Sequence, residues 1–505
     1  MNNAAVIFGG ENMPTSDILE KAIAYEAEAE KKIKEVERPV FHLTARSGWL
    51  NDPNGFSFYK GEYHLFYQYN PYSTHWDKMH WGHAASKDLL HWHYLPCALA
   101  PDAWYDRFGV FSGSAIETNG GKQLLMYTGV RQEKQADGTT KDMQVQCVAT
   151  GDGVSYEKYA QNPVIDERML PAGASRNDFR DPRIFKAKDG SFLAVIASRG
   201  EDKSGQILLF ASDDGYSWRF KSTLAQNRNR YGKMWECPDF FELDGSYVLL
   251  TSPQDMKDDG AEFHSGNGTL CLIGSLDEER GTFSEEHIQT LDSGIDFYAP
   301  QTVLTSDGRR IMIGWLENWD GCAINTSEKW ACQMATPREI FIQDGRLCQK
   351  PIKELDEARA NKVSYENVAL VNEEKTLDGV KGRVLDMELH IEAESENDVF
   401  EVDVAKDDTH ATRLIFRAKE HTLTLDRRRC GSCRAIIHSQ ECILKNKGKS
   451  LDVRIVLDRF SIEVFIDGGK QAMSAALPTE LEADGISFKA LGSVSFSVNK
   501  YELSL

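Results

Sequence analysis

Asn51-Asp52-Pro53, a turn at Gly61 and the apolar run Tyr63-His64-Leu65-Phe66-Tyr67 form a unit that decides how the rest of the chain is read. A polar start leads into a short strand, a glycine turn and a second, strongly apolar strand. The unit returns as Phe111-Ser112-Gly113 to Gly121 with Leu124-Leu125-Met126-Tyr127, and as Arg180-Asp181-Pro182 to Gly190 with Phe192-Leu193-Ala194-Val195-Ile196. It returns again as Cys237-Pro238-Asp239 to Gly245 with Tyr247-Val248-Leu249-Leu250, and as Ala299-Pro300-Gln301 to Gly308 with Ile311-Met312-Ile313-Gly314-Trp315. The turn glycines lie 60, 69, 55 and 63 residues apart. A second signature keeps the same interval: Ser86-Lys87-Asp88 to Trp92, Gly151-Asp152-Gly153 to Tyr156, Ser212-Asp213-Asp214 to Trp218 and, more weakly, Ser275 to Phe283. A period of about 60 residues built of hairpins, with almost no helical periodicity, is what a β-propeller requires. Five copies predict five blades over residues 38–350.

Outward from this core the pattern changes. Residues 1–37 form an extension in which 16–37 read as one amphipathic helix, capped by Asp17 with Glu20 three residues on. Ile18, Ala22, Tyr25, Ala29 and Ile33 mark its apolar stripe. Residues 351–362 read as a short helical linker. From 363 to 505, alternating runs such as Val399-Phe400-Glu401-Val402-Asp403-Val404 and Ser461-Ile462-Glu463-Val464-Phe465-Ile466 predict a β-sandwich. The expected fold is therefore all-β: a five-bladed β-propeller, then a C-terminal β-sandwich, with a short N-terminal helix.

Composition narrows the function. A formal charge of −20 argues against nucleic acid or an anionic membrane as partner and suits a small neutral substrate. No apolar run approaches the roughly 20 residues of a membrane span. Ala4 to Phe8 is too short for a signal h-region. Ten cysteines without a regular framework read as free thiols of a reducing cytoplasm. Cys430, Cys433, His438 and Cys442 have the spacing of a small zinc knuckle, but strand alternation around them would scatter their side chains over both faces of a sheet. No metal or cofactor is expected. A homo-oligomer could form through the N-terminal helix or the sandwich.

In a propeller the first strand of each blade lines a central channel, so polar groups at those strand starts converge. Asp52 opens the first unit and Asp181 the third, and Glu236 immediately precedes the fourth. Each alone has a plainer reading, as a turn residue, an ion-pair partner or a buried acid, but their shared place in the repeat favours a site. Two carboxylates in different environments suit glycoside cleavage, one protonating the departing oxygen and the other meeting the oxocarbenium-like centre. Glu236, next to Trp235, is expected to be desolvated and to serve as the acid. Asp52, in a loop rich in backbone donors, is expected to stay ionised as nucleophile. Trp49, Trp76, Phe111, Tyr298 and Trp315 are candidate aromatic walls, with Gln68 and Ser112 as candidate hydroxyl binders.

The motifs Trp49-Leu50-Asn51-Asp52-Pro53-Asn54-Gly55, Phe179-Arg180-Asp181-Pro182 and Trp235-Glu236-Cys237-Pro238-Asp239 resemble the three hallmark motifs of glycoside hydrolase family 32. The resemblance extends from about residue 38 to the end of the chain. It implies a retaining β-fructofuranosidase of the invertase and sucrose-6-phosphate hydrolase kind. Asp52 would be the nucleophile, Glu236 the acid/base and Asp181 the transition-state stabiliser, with Arg180 holding fructosyl hydroxyls. Contacts from Asn51, Gln68, Trp76, Phe111, Ser112, Tyr298 and Trp315 are implied as well. The N-terminal extension and the stretch from Gly321 to Lys329 depart from the family pattern. Sucrose and short fructo-oligosaccharides are the expected substrates, with sucrose 6-phosphate and fructosyl transfer as alternatives. Arg228, Arg230 and Lys233, just before Glu236, read first as a solvated loop with scattered charge; they are the cations that a phosphate would have to use. A noncatalytic glycan-binding propeller would have no need of all three acids.

Overall fold

The computed structural model describes residues 16–259, 262–321, 329–432 and 435–505. The segment from Ala4 to Phe8, Cys433 of the knuckle-like cluster and most of the stretch from Gly321 to Lys329 lie outside them.

Residues 48–351 form five antiparallel sheets in sequence order. Sheet I holds Gly48–Tyr59, Glu62–Asn70, His80–Ser86 and Trp92–Leu99, with Trp330–Ala331 added in parallel beside Gly48 and Trp49. Sheet II holds Val110–Glu117, Gln123–Lys134, Thr140–Gly151 and Tyr156–Lys158, and sheet III runs from Phe179 to Gln226. Sheet IV runs from Met234 to Thr290, and sheet V pairs Tyr298–Leu304, Arg310–Trp315, Arg338–Gln343 and Arg346–Pro351. The first strands of sheets I to V lie side by side in order, and that of V lies against that of I.

The repeat has a local physical cause. The hairpin glycines 61, 121, 190, 245 and 308 have φ between 72° and 88°, the left-handed region that glycine enters without a Cβ clash. The second signature is a side-chain-capped turn. Ser86 Oγ accepts from Leu89 N at 2.8 Å and Asp88 Oδ1 from His91 N at 2.8 Å. Ser212 and Asp214 do the same for Gly215 N and Ser217 N.

Each first strand also breaks register, after Leu50, Phe111, Arg180, Glu236 and Tyr298, and that of sheet I breaks a second time after Asn54. A bulge leaves residues out of the ladder and re-aims their side chains. Asp52, Ser112, Asp181, Cys237 and Ala299 occupy these breaks, and three of them take positive φ: Asp181 at 62°, Cys237 at 48° and Ala299 at 51°. The Asp-Pro, Cys-Pro and Ala-Pro steps agree with this geometry, because proline has no N–H for a ladder bond.

The chain from Arg359 to Leu503 folds into two six-stranded sheets packed over one apolar core. A short helix, Lys353–Glu357, precedes the first strand, Arg359–Val371. That strand starts within the expected linker. Buried charge ties this unit to the first. Arg338 of sheet V pairs with Glu463 at 2.5 Å and Asp292 at 2.9 Å, all three with side chains no more than 1% exposed. His42 lies between Asp458 at 2.8 Å and Glu463 at 2.9 Å.

The N-terminal helix is shorter than expected, Asp17–Glu30, and its cap is Ser16, whose Oγ accepts from Leu19 N at 3.1 Å. Asp17 is thus its first helical residue. Its buried face carries Leu19, Ala22 and Glu26, whereas Ile18 and Tyr25 of the expected stripe are exposed. Glu26 is the reason for the shift: its carboxylate accepts from Cys97 N at 2.8 Å and pairs with Arg46 at 3.2 Å. No described helix is long and apolar enough to cross a membrane.

Candidate active site

Four of the bulged strands, those of sheets I to IV, line a cavity of about 710 Å³. Asp52, Asp181, Glu236 and Arg180 stand at its floor, Asn51, Gln68 and Ser112 beside them, and Trp76 and Phe111 on one wall. Trp76 is 47% exposed and meets Phe111 edge-on at 5.8 Å, an arrangement that offers ring faces to the C–H surface of a sugar.

Asp52 is set by side-chain donors. Ser112 Oγ donates to Oδ2 at 2.6 Å and Asn51 Nδ2 to Oδ1 at 3.0 Å. The Trp49 indole donates to Asn51 Oδ1 at 2.8 Å, which orients that amide. Burial, joined by the charge of Glu236, lifts the Asp52 carboxyl above the ordinary range, and the donors from Ser112 and Asn51 oppose it. Where the sequence predicts backbone donors that keep Asp52 ionised, the donors are instead the side chains of Ser112 and Asn51, which act against the rise that burial causes.

Glu236 is held at both oxygens. Arg180 Nε donates to Oε1 at 2.9 Å, and the Tyr298 hydroxyl donates to Oε2 at 2.7 Å. Trp235 does not desolvate it. Successive strand residues face opposite ways, and the Trp235 ring sits in the apolar core behind, its Nε1 donating to Tyr231 O at 2.9 Å. Of the expected walls, Tyr298, Trp315 and Trp49 form a backing layer, at most 8% exposed. Trp315 packs edge-on against Trp49 at 6.0 Å and against Tyr298 at 6.4 Å. None of the three is among the residues that line the cavity; Trp319, which meets Trp315 at 5.0 Å, is.

Asp181 accepts from Cys237 N at 3.0 Å, and the Cys237 thiol lies 3.5 Å from Asp52 Oδ2 and 3.7 Å from Asp181 Oδ2. Burial pushes Asp181 up to about 7, the Arg180 guanidinium pulling down and the charges of Glu236 and Asp52 adding to the rise. The consequence is measurable as stability. Unfolded aspartate titrates near 3.9, so ionising Asp181 in the folded chain costs progressively more as pH rises from about 4 to about 7, then stays constant. Asp181→Asn should therefore raise the melting temperature at pH 8, with the gain shrinking toward pH 4. Thermal scans at both pH values check this, and a variant less stable than wild type at pH 8 contradicts it.

The cations before Glu236 stand away from the cavity, as expected of a solvated loop with scattered charge. Arg230 pairs with Glu285 at 2.8 Å and Lys233 with Asp255 at 3.1 Å, and neither they nor Arg228 line the cavity. What sequence reading missed is the opposite rim, Lys141, Asp142, Gln144, Asn177, Asp178 and Gln254. The polar Asn177-Asp178 step before Phe179 was the available signal; Lys141, Asp142 and Gln144 depend on the long third strand of sheet II, and Gln254 ends the second strand of sheet IV. Cys430 and Cys442 are buried, and Gln471 donates to the Cys442 sulfur at 3.1 Å.

Paired acids beneath a sugar-sized, aromatic-sided cavity define a glycoside hydrolase. The chain belongs to glycosyl hydrolases family 32: residues 42–351 match the family's N-terminal domain and residues 354–503 its C-terminal domain. It is 35% identical over 465 residues to raffinose invertase of Escherichia coli, covering 90% of this chain and 92% of that protein. It is 36% identical over 441 residues to sucrose-6-phosphate hydrolase of Zymomonas mobilis, covering 85% and 83%. Among solved structures, the Bombyx mori family 32 β-fructofuranosidase determined with sucrose superposes with a TM-score of 0.82 at 30% identity, covering 96% of this chain and 98% of that one.

Proposed function

We propose that the chain hydrolyses terminal non-reducing β-D-fructofuranosides, sucrose first among them, with net retention. The observation that carries this reading is the convergence of Asp52 and Glu236 on one cavity with Asp181 and Arg180 beside them. Asp52 attacks the anomeric carbon of the fructosyl unit while Glu236 protonates the glycosidic oxygen, and the leaving sugar departs. Glu236 then takes a proton from a water whose oxygen bonds to the anomeric carbon as the bond to Asp52 breaks, releasing fructose. Asp181 and Arg180 hold fructosyl hydroxyls, and their hold tightens as the ring flattens toward the oxocarbenium-like state. Asn51, Gln68 and Ser112 complete the polar floor and Trp76 and Phe111 the apolar side. Trp49, Tyr298 and Trp315 act from behind, Tyr298 by fixing the Glu236 carboxylate.

In this reading residues 38–350 are the catalytic unit, a closed five-bladed propeller whose inner strands are the bulged ones. Residues 363–505 are the sandwich, 351–362 the link and 1–37 the extension. The eight cysteines of the described residues are free thiols, which suits a reducing cytoplasm. Retention is tested by rapid NMR of the first product. The β-furanose anomer of fructose should appear before mutarotation, and an α-anomer appearing first would remove Asp52 as nucleophile.

A further inference from the structure

In sheet II the first strand pairs with the second only as far as Val110 and Gly129. The ladder between the second and third strands continues five residues further, to Lys134 and Thr140. This free ribbon is roughly 16 Å long. It is not left to fray: Arg131 pairs with Glu133 and, at 3.0 Å, with Glu167, and Asn177 Nδ2 donates to the Asp142 carbonyl at 2.5 Å. From the ribbon and the loop it is tied to, Lys141, Asp142, Asn177 and Asp178 reach the cavity rim, with Trp319 also on the lining.

We infer that this ribbon is the wall of the leaving-group subsite and selects an uncharged sugar over a phosphorylated one. The inference rests on the β-fructofuranosidase reading and adds the choice of leaving group. Among the described residues lining the cavity, five carboxylates face two cations, Lys141 and Arg180. Arg180 is already engaged by Glu236 at 2.9 Å and Asp178 at 3.3 Å. Lys141 stands next to Asp142. Recognition of a phosphate dianion calls for a surplus of positive donors, whereas mixed acids, amides and one lysine are matched partners for neutral hydroxyls.

The test compares kcat/KM for sucrose, sucrose 6-phosphate and β-fructofuranosyl fluoride, whose leaving group has no sugar to contact the wall. Two variants of the full chain are measured beside wild type. One replaces residues 132–142 by an Asn-Gly turn, closing the hairpin on the paired Arg131 and Met143. The other is Asp142→Lys. Wild type should favour sucrose over sucrose 6-phosphate by at least about tenfold, and both variants should narrow that ratio severalfold. The shortened chain should lose about tenfold more on sucrose than on the fluoride. If the shortened chain does not fold, Asp142→Lys decides through the same ratio. A wild-type preference for sucrose 6-phosphate, or a ratio that neither variant moves, overturns the assignment. Failure to release fructose from any of the three substrates would instead overturn the β-fructofuranosidase reading itself.

Discussion

Asp52→Asn is expected to lose roughly three to six orders of magnitude in kcat toward sucrose while the chain stays folded. The substitution keeps the size of the side chain and removes a buried charge from beside Glu236, so stability should not suffer. Glu236→Gln should show a loss of similar size on sucrose, because the departing alkoxide then leaves without a proton. The two variants separate on β-fructofuranosyl fluoride, since fluoride needs no protonation. There Glu236→Gln should keep much of its first-step rate, measured as a burst of fluoride, and Asp52→Asn should keep almost none. Equal losses on the fluoride would mean that the two roles are wrongly divided.

Arg338→Ala should cost about 3 to 5 kcal/mol of stability, the range for removing one partner of a buried ion pair. Asp292 would lose its cation and Glu463 would keep only His42 as one, and the Gln349 and Ser474 bonds to the guanidinium would be lost as well. Denaturant unfolding followed by circular dichroism measures this, and a loss under about 1 kcal/mol would mean that the network is solvated. His42 gives an independent check. Burial alone would lower it, but the hydrogen bonds to Asp458 and Glu463 raise it to about 9. Unfolded histidine titrates near 6.5. Its contribution to stability is therefore complete below about 6.5 and is lost as pH rises through about 9.

The repeat was legible because its cause is local. Turn glycines and the Ser-x-Asp caps act over a few residues, so spacing alone located the sheets of residues 48–351. The acids were legible for the same reason, since Asp-Pro and Cys-Pro mark the bulges that aim them. What was not legible depends on packing between distant segments. Whether Trp235 faced Glu236 depended on which side of the strand the core claimed. Whether Trp49 and Trp315 touched the cavity or backed it depended on how three rings stack across sheets I and V. The buried face of the helix differs from the expected stripe because Glu26, an acidic side chain, is buried by contacts with Cys97 and Arg46 that no helical pattern contains.

Five breaks in register fall at one equivalent place in each inner strand, yet only the first and third hold acids; the second holds Ser112, the fourth Cys237 and the fifth Ala299. The scaffold thus supplies more sockets than its chemistry fills. A socket's backbone is set by its flanking strands, so the side chain it carries can change without moving its neighbours. Ala299, whose side chain ends at Cβ, is buried in the apolar core and absent from the cavity lining, so this socket serves packing alone.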